Sequence, residues 1–256
     1  MRRLDTGTLP TPRDSIAGVD PPDRRAVERV GGGGSDTPVS IVWACSSSLS
    51  SYVAAGKQIA VPAQSCPGCQ RRLTWWAGYW RWARGLGTQR LWIRRGRCSR
   101  CRRSHALLPD FLLERRLDHV EVIGQALALS IASGLGMRAV AERLGVPMTT
   151  ARDWRRRFRV HALVLATALV ALAVHLDPQA VRLSATDHET AALESLGAAW
   201  QRARTRFGER VPGLWRFWSV ISGGHALGTN RSPPFPPRSG LDGAHSLTAS
   251  GGAHER

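Results

Sequence analysis

A chain of 256 residues with 43% hydrophobic residues can bury one or two real cores. Its formal charge of +17 is unevenly placed: residues 1–40 hold six Arg against six acids, whereas residues 66–160 hold 20 Arg against six, a surplus of 14. Four thiolates and one Zn²⁺ would lower that surplus to +12, still a field that attracts polyanions, nucleic acid foremost. A merely solubilising surface would mix the two signs.

No apolar run follows Arg2-Arg3, so no secretory signal is expected. The one membrane candidate, residues 160–176, falls short of ~20 residues and carries His161 and His175 near its ends, so a buried helix and no membrane partner are expected. The expected location is cytoplasmic, associated with the nucleoid.

Residues 1–40 are rich in Pro, Gly, Asp and Arg and lack apolar periodicity, which predicts a disordered N-terminal extension. Residues 41–65 form a lead-in with one short helix over 46–56, capped by serine and ended by Gly56. Cys45 has no partner at metal-ligand spacing and reads as a small core residue.

The 66–116 stretch carries Cys66-Pro-Gly-Cys69 and Cys98-Ser-Arg-Cys101, two CxxC pairs 28 residues apart. Thiolates two residues apart can grip one metal from a single tight turn, and two such turns joined by a β-hairpin give Zn²⁺ four soft ligands. The expectation is a structural zinc ribbon with Cys66, Cys69, Cys98 and Cys101 as ligands and no open coordination position. Packing cysteines or disulfides are the alternatives, and paired CxxC spacing without a secretory signal favours metal.

The hairpin strands are expected over 73–82 and 90–97, joined through Gly85-Leu86-Gly87. Trp75, Trp76, Trp80, Trp82 and Trp92 crowd this segment, and covering a small sheet is the plain explanation. Stacking on bases is the sharper one for one or two of them. Arg94, Arg95, Arg97, Arg102 and Arg103, with Arg90 and Arg100, form a dense basic run suited to phosphates, or else a solvated edge that discourages strand pairing. His105 is not counted as a ligand, because four Cys complete the set.

Over 117–160 the pattern is helix-turn-helix. A first helix starts at Asp118-His119-Val120-Glu121 with capping-box spacing, and the next runs from Met137 to Leu144. Gly145 and Pro147 make the turn, and the following helix over 149–159 turns Ala151, Trp154 and Phe158 inward. Its outer face offers Thr149, Thr150, Arg152, Asp153 and Arg156. Arg152 and Arg156 lie one turn apart and can read guanine edges together in a major groove. Arg155, Arg157 and Arg159 are the expected phosphate clamps, and a packing unit with a charged solvent face is the alternative.

Residues 161–222 are expected to form a C-terminal helical hairpin or bundle, its second helix starting at Thr186-Asp-His-Glu189 and carrying Leu193, Leu196, Trp200, Ala203 and Phe207 as a stripe. The pair is expected to be antiparallel, with a homodimer seam as the alternative. A weaker helix lies over 211–221, and 223–256 is an expected disordered tail. The fold class is thus mainly α with a small β zinc ribbon.

The order of Val42-Trp43-Ala44-Cys45-Ser46, Ala54-Ala55-Gly56-Lys57, the two CxxC pairs, Gly78-Tyr79-Trp80-Arg81, Ser104-His105-Ala106-Leu107-Leu108-Pro109 and Thr149-Thr150-Ala151-Arg152-Asp153-Trp154 resembles an uncharacterised domain-of-unknown-function family. Its members are zinc-ribbon, helix-turn-helix proteins of high-GC bacteria. More distantly, the chain is similar to the zinc-finger and helix-turn-helix head of certain insertion-sequence transposases. The resemblance spans about residues 41–230 and implies DNA binding associated with mobile elements.

A complete transposase would need three carboxylates on an RNase H-like domain. Beyond Val160 the acids are Asp177, Asp187, Glu189, Glu194, Glu209, Asp242 and Glu255, without a strand series to hold them. The expected function is therefore that of a non-catalytic, zinc-stabilised protein binding double-stranded DNA, as a transposon accessory or a transcriptional regulator. A second copy and a separate recombinase are candidate partners. The competing classes are a protein-interaction scaffold, the DNA-binding part of a transposase whose catalytic domain lies elsewhere or is lost, and an RNA-binding ribbon.

Overall fold

The structure is a computed structural model and describes residues 40–85 and 87–227. Leu86, the 1–39 part of the N-terminal extension and the 228–256 part of the tail lie outside the described residues. The described residues are about half helical and form a four-stranded sheet in the order β1-β4-β3-β2 and six α-helices.

β1 (Ser40–Trp43) runs parallel to β4 (Ser104–Pro109), while β2 (Thr74–Gly85) and β3 (Gly87–Arg97) form the antiparallel hairpin that pairs with β4. The hairpin is longer than the two strands expected, and β1 and β4 extend the ribbon into a true sheet. A parallel pair needs a long crossover, and here it is the whole segment from α1 (Leu49–Ala55) through both cysteine turns. Ser48 caps α1 by accepting from the Ser51 amide, and Gly56 ends it at φ +49. Leu91, Ile93 and Ala83 are buried on one face of the sheet and Leu107, which pairs with Arg94, on the other; Tyr52 of α1 donates its hydroxyl to the Trp92 carbonyl.

The helical body is α2 (Val120–Ile131), α3 (Met137–Leu144), α4 (Met148–Leu176), α5 (His188–Phe207) and α6 (Leu214–Ile221). The capping box expected at Asp118 does not form: His119 occupies the N-cap without a side-chain bond, and Asp118 pairs with Arg84 at 2.9 Å. A buried carboxylate beside a guanidinium gains more from that pair than from an amide at a helix end.

α4 runs through the boundary expected at 160/161 without a break. Nothing in residues 156–164 is Gly or Pro, so the helix has no reason to stop there. By length and composition it is long and apolar enough to cross a membrane, and 33% of its most apolar 18 residues are buried. The expectation of a buried helix holds for one face: Ala162, Leu165 and Leu169 are buried, whereas Val160, Leu163, Val164 and Val174 are exposed.

The expected antiparallel helical hairpin is overturned, because α4 and α5 run parallel. Glu189, at the start of α5, meets Arg155 and Arg159 of α4; Arg202 and Arg206, near its end, donate to the carbonyls of Ala173, Asp177 and Leu176 at the end of α4. The connection from Asp177 to Asp187 makes this feasible, because an extended segment of that length reaches about 35 Å and the helix it retraces is about 29 Å. Arg202 also places positive charge on the last carbonyls of α4, where the helix dipole favours it. Asp187 caps α5 through the Thr190 amide and hydroxyl, and Glu189 serves the ion pairs with α4 in place of the reciprocal half of a capping box.

α6 reaches both layers. Gly124 lets Trp215 lie against α2, since a Cβ there would sit 1.9 Å from the indole. The first residues of the expected disordered tail are packed: Ala226 and Leu227 are buried, and the Leu227 carbonyl accepts from Arg116.

Candidate metal centre and basic helix face

Cys66, Cys69, Cys98 and Cys101 are brought together with all four Sγ atoms within 4.8 Å of one another. Cys66 and Cys101 are 3.5 Å apart and Cys69 and Cys98 3.3 Å, far beyond a disulfide bond near 2.05 Å and close to the ~3.8 Å edge of a tetrahedron of thiolates about one metal. The two turns are built alike. Each first cysteine donates its amide to the carbonyl five residues on (Cys66 to Arg71, Cys98 to Arg103), and Gln70 and Arg102, directly after each second cysteine, both sit at φ +59. A left-handed non-glycine residue costs on the order of 1 kcal/mol, so its repetition at matching positions marks a geometry the cysteine turn demands. These observations fit a tetrahedral metal held by the four sulfurs.

The backbone amide of Cys101 aims at the Cys98 sulfur and draws its pKa down to about 6, whereas burial pushes Cys66 up to about 11. His105, set aside in the sequence, is buried on β4 with Nε2 3.6 Å from the Cys66 sulfur. Its signal was available in the pairing of β4 to β3, which puts His105 opposite Gly96 two residues before Cys98. His105→Phe is expected to lower metal affinity by about 10–100-fold, read by competition with a chromogenic chelator. Cys45 is buried outside the cluster, its thiol directed at the Ser47 carbonyl.

α3 ends at Gly145, left-handed at φ +63, and Pro147 opens α4. α2, α3 and α4 pack together, with Val140, Ala151, Trp154 and Phe158 buried between them. The outer face of α4 then presents Thr149, Arg152 and Arg156 around a shallow depression that also takes in Met137, Arg155 and Arg159. Thr150 is half-buried and faces the neighbouring Arg84–Asp118 pair instead.

The arginines differ in their ties. Arg152 is exposed and has no ion-pair or hydrogen-bond partner among the described residues. Asp153 is clasped by Arg156 at 2.8 Å and Arg157 at 2.7 Å, with Arg116 at 3.7 Å, and these partners hold its carboxyl below the usual range. Arg155 and Arg159 share Glu189. The expected clamps Arg155, Arg157 and Arg159 are thus engaged within the protein; Arg156, also paired with Asp153, stays well exposed, and Arg152 points outward.

A strap over residues 113–118 joins the sheet to this face. Arg81 donates to the Leu113 and Arg116 carbonyls, Arg84 binds Asp118, and Arg116 reaches Asp153. The expected arginine strip does not lie on one surface. Arg94 and Arg95 alternate across β3; Arg94 donates to the Lys57 carbonyl, and Arg95 lines a cleft with Tyr79 and Arg81 on the other side. Arg97 lies over Trp76, and Arg102 and Arg103 are exposed in the second cysteine turn.

Among the described residues, fold and site together define a half-helical body with a small four-stranded sheet and a four-cysteine candidate metal centre. Residues 66–139 match the model of a family described as a domain of unknown function (DUF6431), a span that takes in both cysteine pairs, β2 to β4, α2 and the start of α3. No curated protein and no solved structure matches the chain.

Proposed function

We propose that the chain is a non-catalytic, zinc-stabilised protein that binds double-stranded DNA through a helix-turn-helix, α3 and α4, mounted on a zinc ribbon. The observation that carries this is Arg152, exposed and without a partner among the described residues at the start of α4 directly after the Gly145 turn, in a helix whose other basic residues are mostly tied internally. In a helix-turn-helix the second helix enters the major groove by its N-terminal residues, where Thr149, Arg152 and Arg156 stand. Zn²⁺ is the metal that best suits four thiolates in a closed site.

A non-catalytic role is supported by what the acids beyond Val160 do. Asp187 caps α5, Glu189 pairs with Arg155 and Arg159, Glu194 accepts from Ser184 and Ala185, and Glu209 pairs with Arg204. Any strand-transfer chemistry would then come from a separate recombinase, and the chain would act as a transposon accessory or a regulator in the cytoplasm, at the nucleoid. Exposed Val160, Leu163 and Val174, with Thr167 and Val170, fall at alternating steps of three and four along α4. That seam continues the DNA-reading segment and suits a second copy of the chain.

Selection of bound fragments from random duplex DNA tests the reading. The expected site has two half-sites about 10 base pairs apart, and Arg152→Ala costs about 1–3 kcal/mol on that site while relaxing preference at one base. Selection with no enriched sequence, or an unchanged preference in Arg152→Ala, overturns it.

A further inference from the structure

The tryptophans of β2 do not cover the sheet. Trp75, Trp76, Trp80 and Trp82 are 48%, 59%, 38% and 56% exposed on a strand at the sheet's edge. Cross-strand pairing sets Trp75, Gly78, Trp80 and Trp82 on one face, opposite Gly96, Arg94, Trp92 and Arg90. The rings are spaced by a floor: a Cβ on Gly78 would lie 2.4 Å from the Trp92 ring, so that ring lies across the backbone between Trp75 and Trp80. Trp76 falls at the register shift between Trp75 and Ala77 and lies by Arg97, which alternates onto the opposite face. Guanidiniums lie beside the rings, with Arg94 5.7 Å from Trp75, Arg97 4.6 Å from Trp76 and Arg90 5.1 Å from Trp80. Trp82 has neither a ring nor a cation partner among the described residues.

Charge decides what this face can accept. From Ser40 to Pro109 the chain contains 11 Arg and one Lys and no Asp or Glu. A partner must therefore be anionic, and it must also offer flat apolar surface to the indoles. Duplex DNA meets only the first demand, because its base faces are already stacked on one another. Unpaired bases on a phosphate backbone meet both.

We propose that the exposed face of the β2–β3 hairpin is a second nucleic-acid site, one that takes single-stranded nucleic acid by stacking unpaired bases on Trp75, Trp80 and Trp82 while Arg90 and Arg94 hold the phosphates. The seven steps from Trp75 to Trp82 span about 23 Å, room for about four to seven nucleotides. The site is independent of Arg152 and of the groove-reading face of α4.

The test uses the full, zinc-loaded chain with fluorescein-labelled dT12, rU12 and a random 24-base-pair duplex, read by anisotropy and by quenching of tryptophan emission. Expected are binding of dT12 or rU12 with quenching, a loss of about 5–150-fold in Trp82→Ala and in Trp75→Ala, and near-wild-type affinity in Trp82→Phe. Binding of one strand type over the other identifies the source as DNA or RNA, and either result supports the site. Duplex binding is expected to survive Trp82→Ala, and single-strand binding to survive Arg152→Ala, so the two sites fail separately. The substituted rings are exposed, so the melting temperature should hold in each variant. Equal affinity of wild type and both alanine variants, or displacement of dT12 by inorganic polyphosphate without recovery of emission, overturns the proposal. So does failure to bind either single strand in dilute buffer, including the case in which Trp82→Ala changes self-association instead.

Discussion

Cys98→Ser, or treatment with a strong chelator, is expected to abolish the cooperative melting of the sheet and release the metal, leaving only the helical signal of α4 and α5. In small domains of this kind the apparent metal-binding free energy is about 10–16 kcal/mol, as large as the whole net stability of about 5–15 kcal/mol that a folded domain retains. The site leaves little to replace it. Cys98 is buried directly after β3, where Arg97 pairs with both Thr74 and Ser104, so its turn fixes the start of the hairpin and the start of β4 together. Serine offers a hard, neutral oxygen where the metal takes a soft thiolate. Metal content and thermal melting, each with and without chelator, give the measurement. Cys45→Ser is the control, a buried cysteine outside the cluster that should keep full metal and lose about 1 kcal/mol. An unchanged melt after complete metal removal would show that packing alone holds the sheet.

Spacing made the cysteine cluster legible, because two CxxC pairs leave few ways to use four thiols. The turn at Gly145, the extent of α3 and the end of α1 at Gly56 were legible for the same reason, because a glycine stop and a proline each act within a few residues; α1 begins at Leu49, three residues later than expected. What escaped depended on distant partners. β1 reads as three apolar residues in a row, and only its pairing with β4, more than 60 residues away, makes it a strand. Asp118 has the spacing of a helix cap, but Arg84, brought close by the hairpin, takes its carboxylate. The direction of α5 rested on the length of a connection and on Glu189 and Arg202 finding opposite ends of α4. The tryptophans were misplaced by a rule that is right on average, that large aromatics cover a small sheet. Here Leu91, Ile93 and Ala83 fill the buried side of the hairpin, and the indoles remain outside.

Arg216→Ala is expected to destabilise the protein by about 3–5 kcal/mol, the usual cost of stripping the partner from a buried charge. Asp110, at the end of β4, is 1% exposed on its side chain and receives Arg216 of α6 through both Nε and Nη2, at 2.9 and 2.6 Å. The same guanidinium donates to the Cys45 carbonyl, so one side chain ties the β1–α1 loop and β4 to α6. Burial pushes the Asp110 carboxyl up to about 6 despite that arginine. Its folded value therefore lies above its unfolded value near 3.8, and the folded state is the tighter binder of the proton between them. Stability from this group is fully present below about pH 4 and is lost as pH rises through about 6, an amount of about 3 kcal/mol. Without Arg216 the carboxylate has still less to offset its burial, so the deficit of Arg216→Ala should be largest near pH 7.5 and shrink toward pH 5. Asp110→Asn should flatten the slope over the same range. Comparing each variant with wild type at each pH cancels any loss of metal in acid. The double change Asp110→Leu with Arg216→Met should recover most of the loss, because a buried pair replaced by apolar side chains of similar size is often neutral or better. Urea denaturation across that range decides the matter: a deficit that grew on acidification would mean that the two groups do not depend on one another.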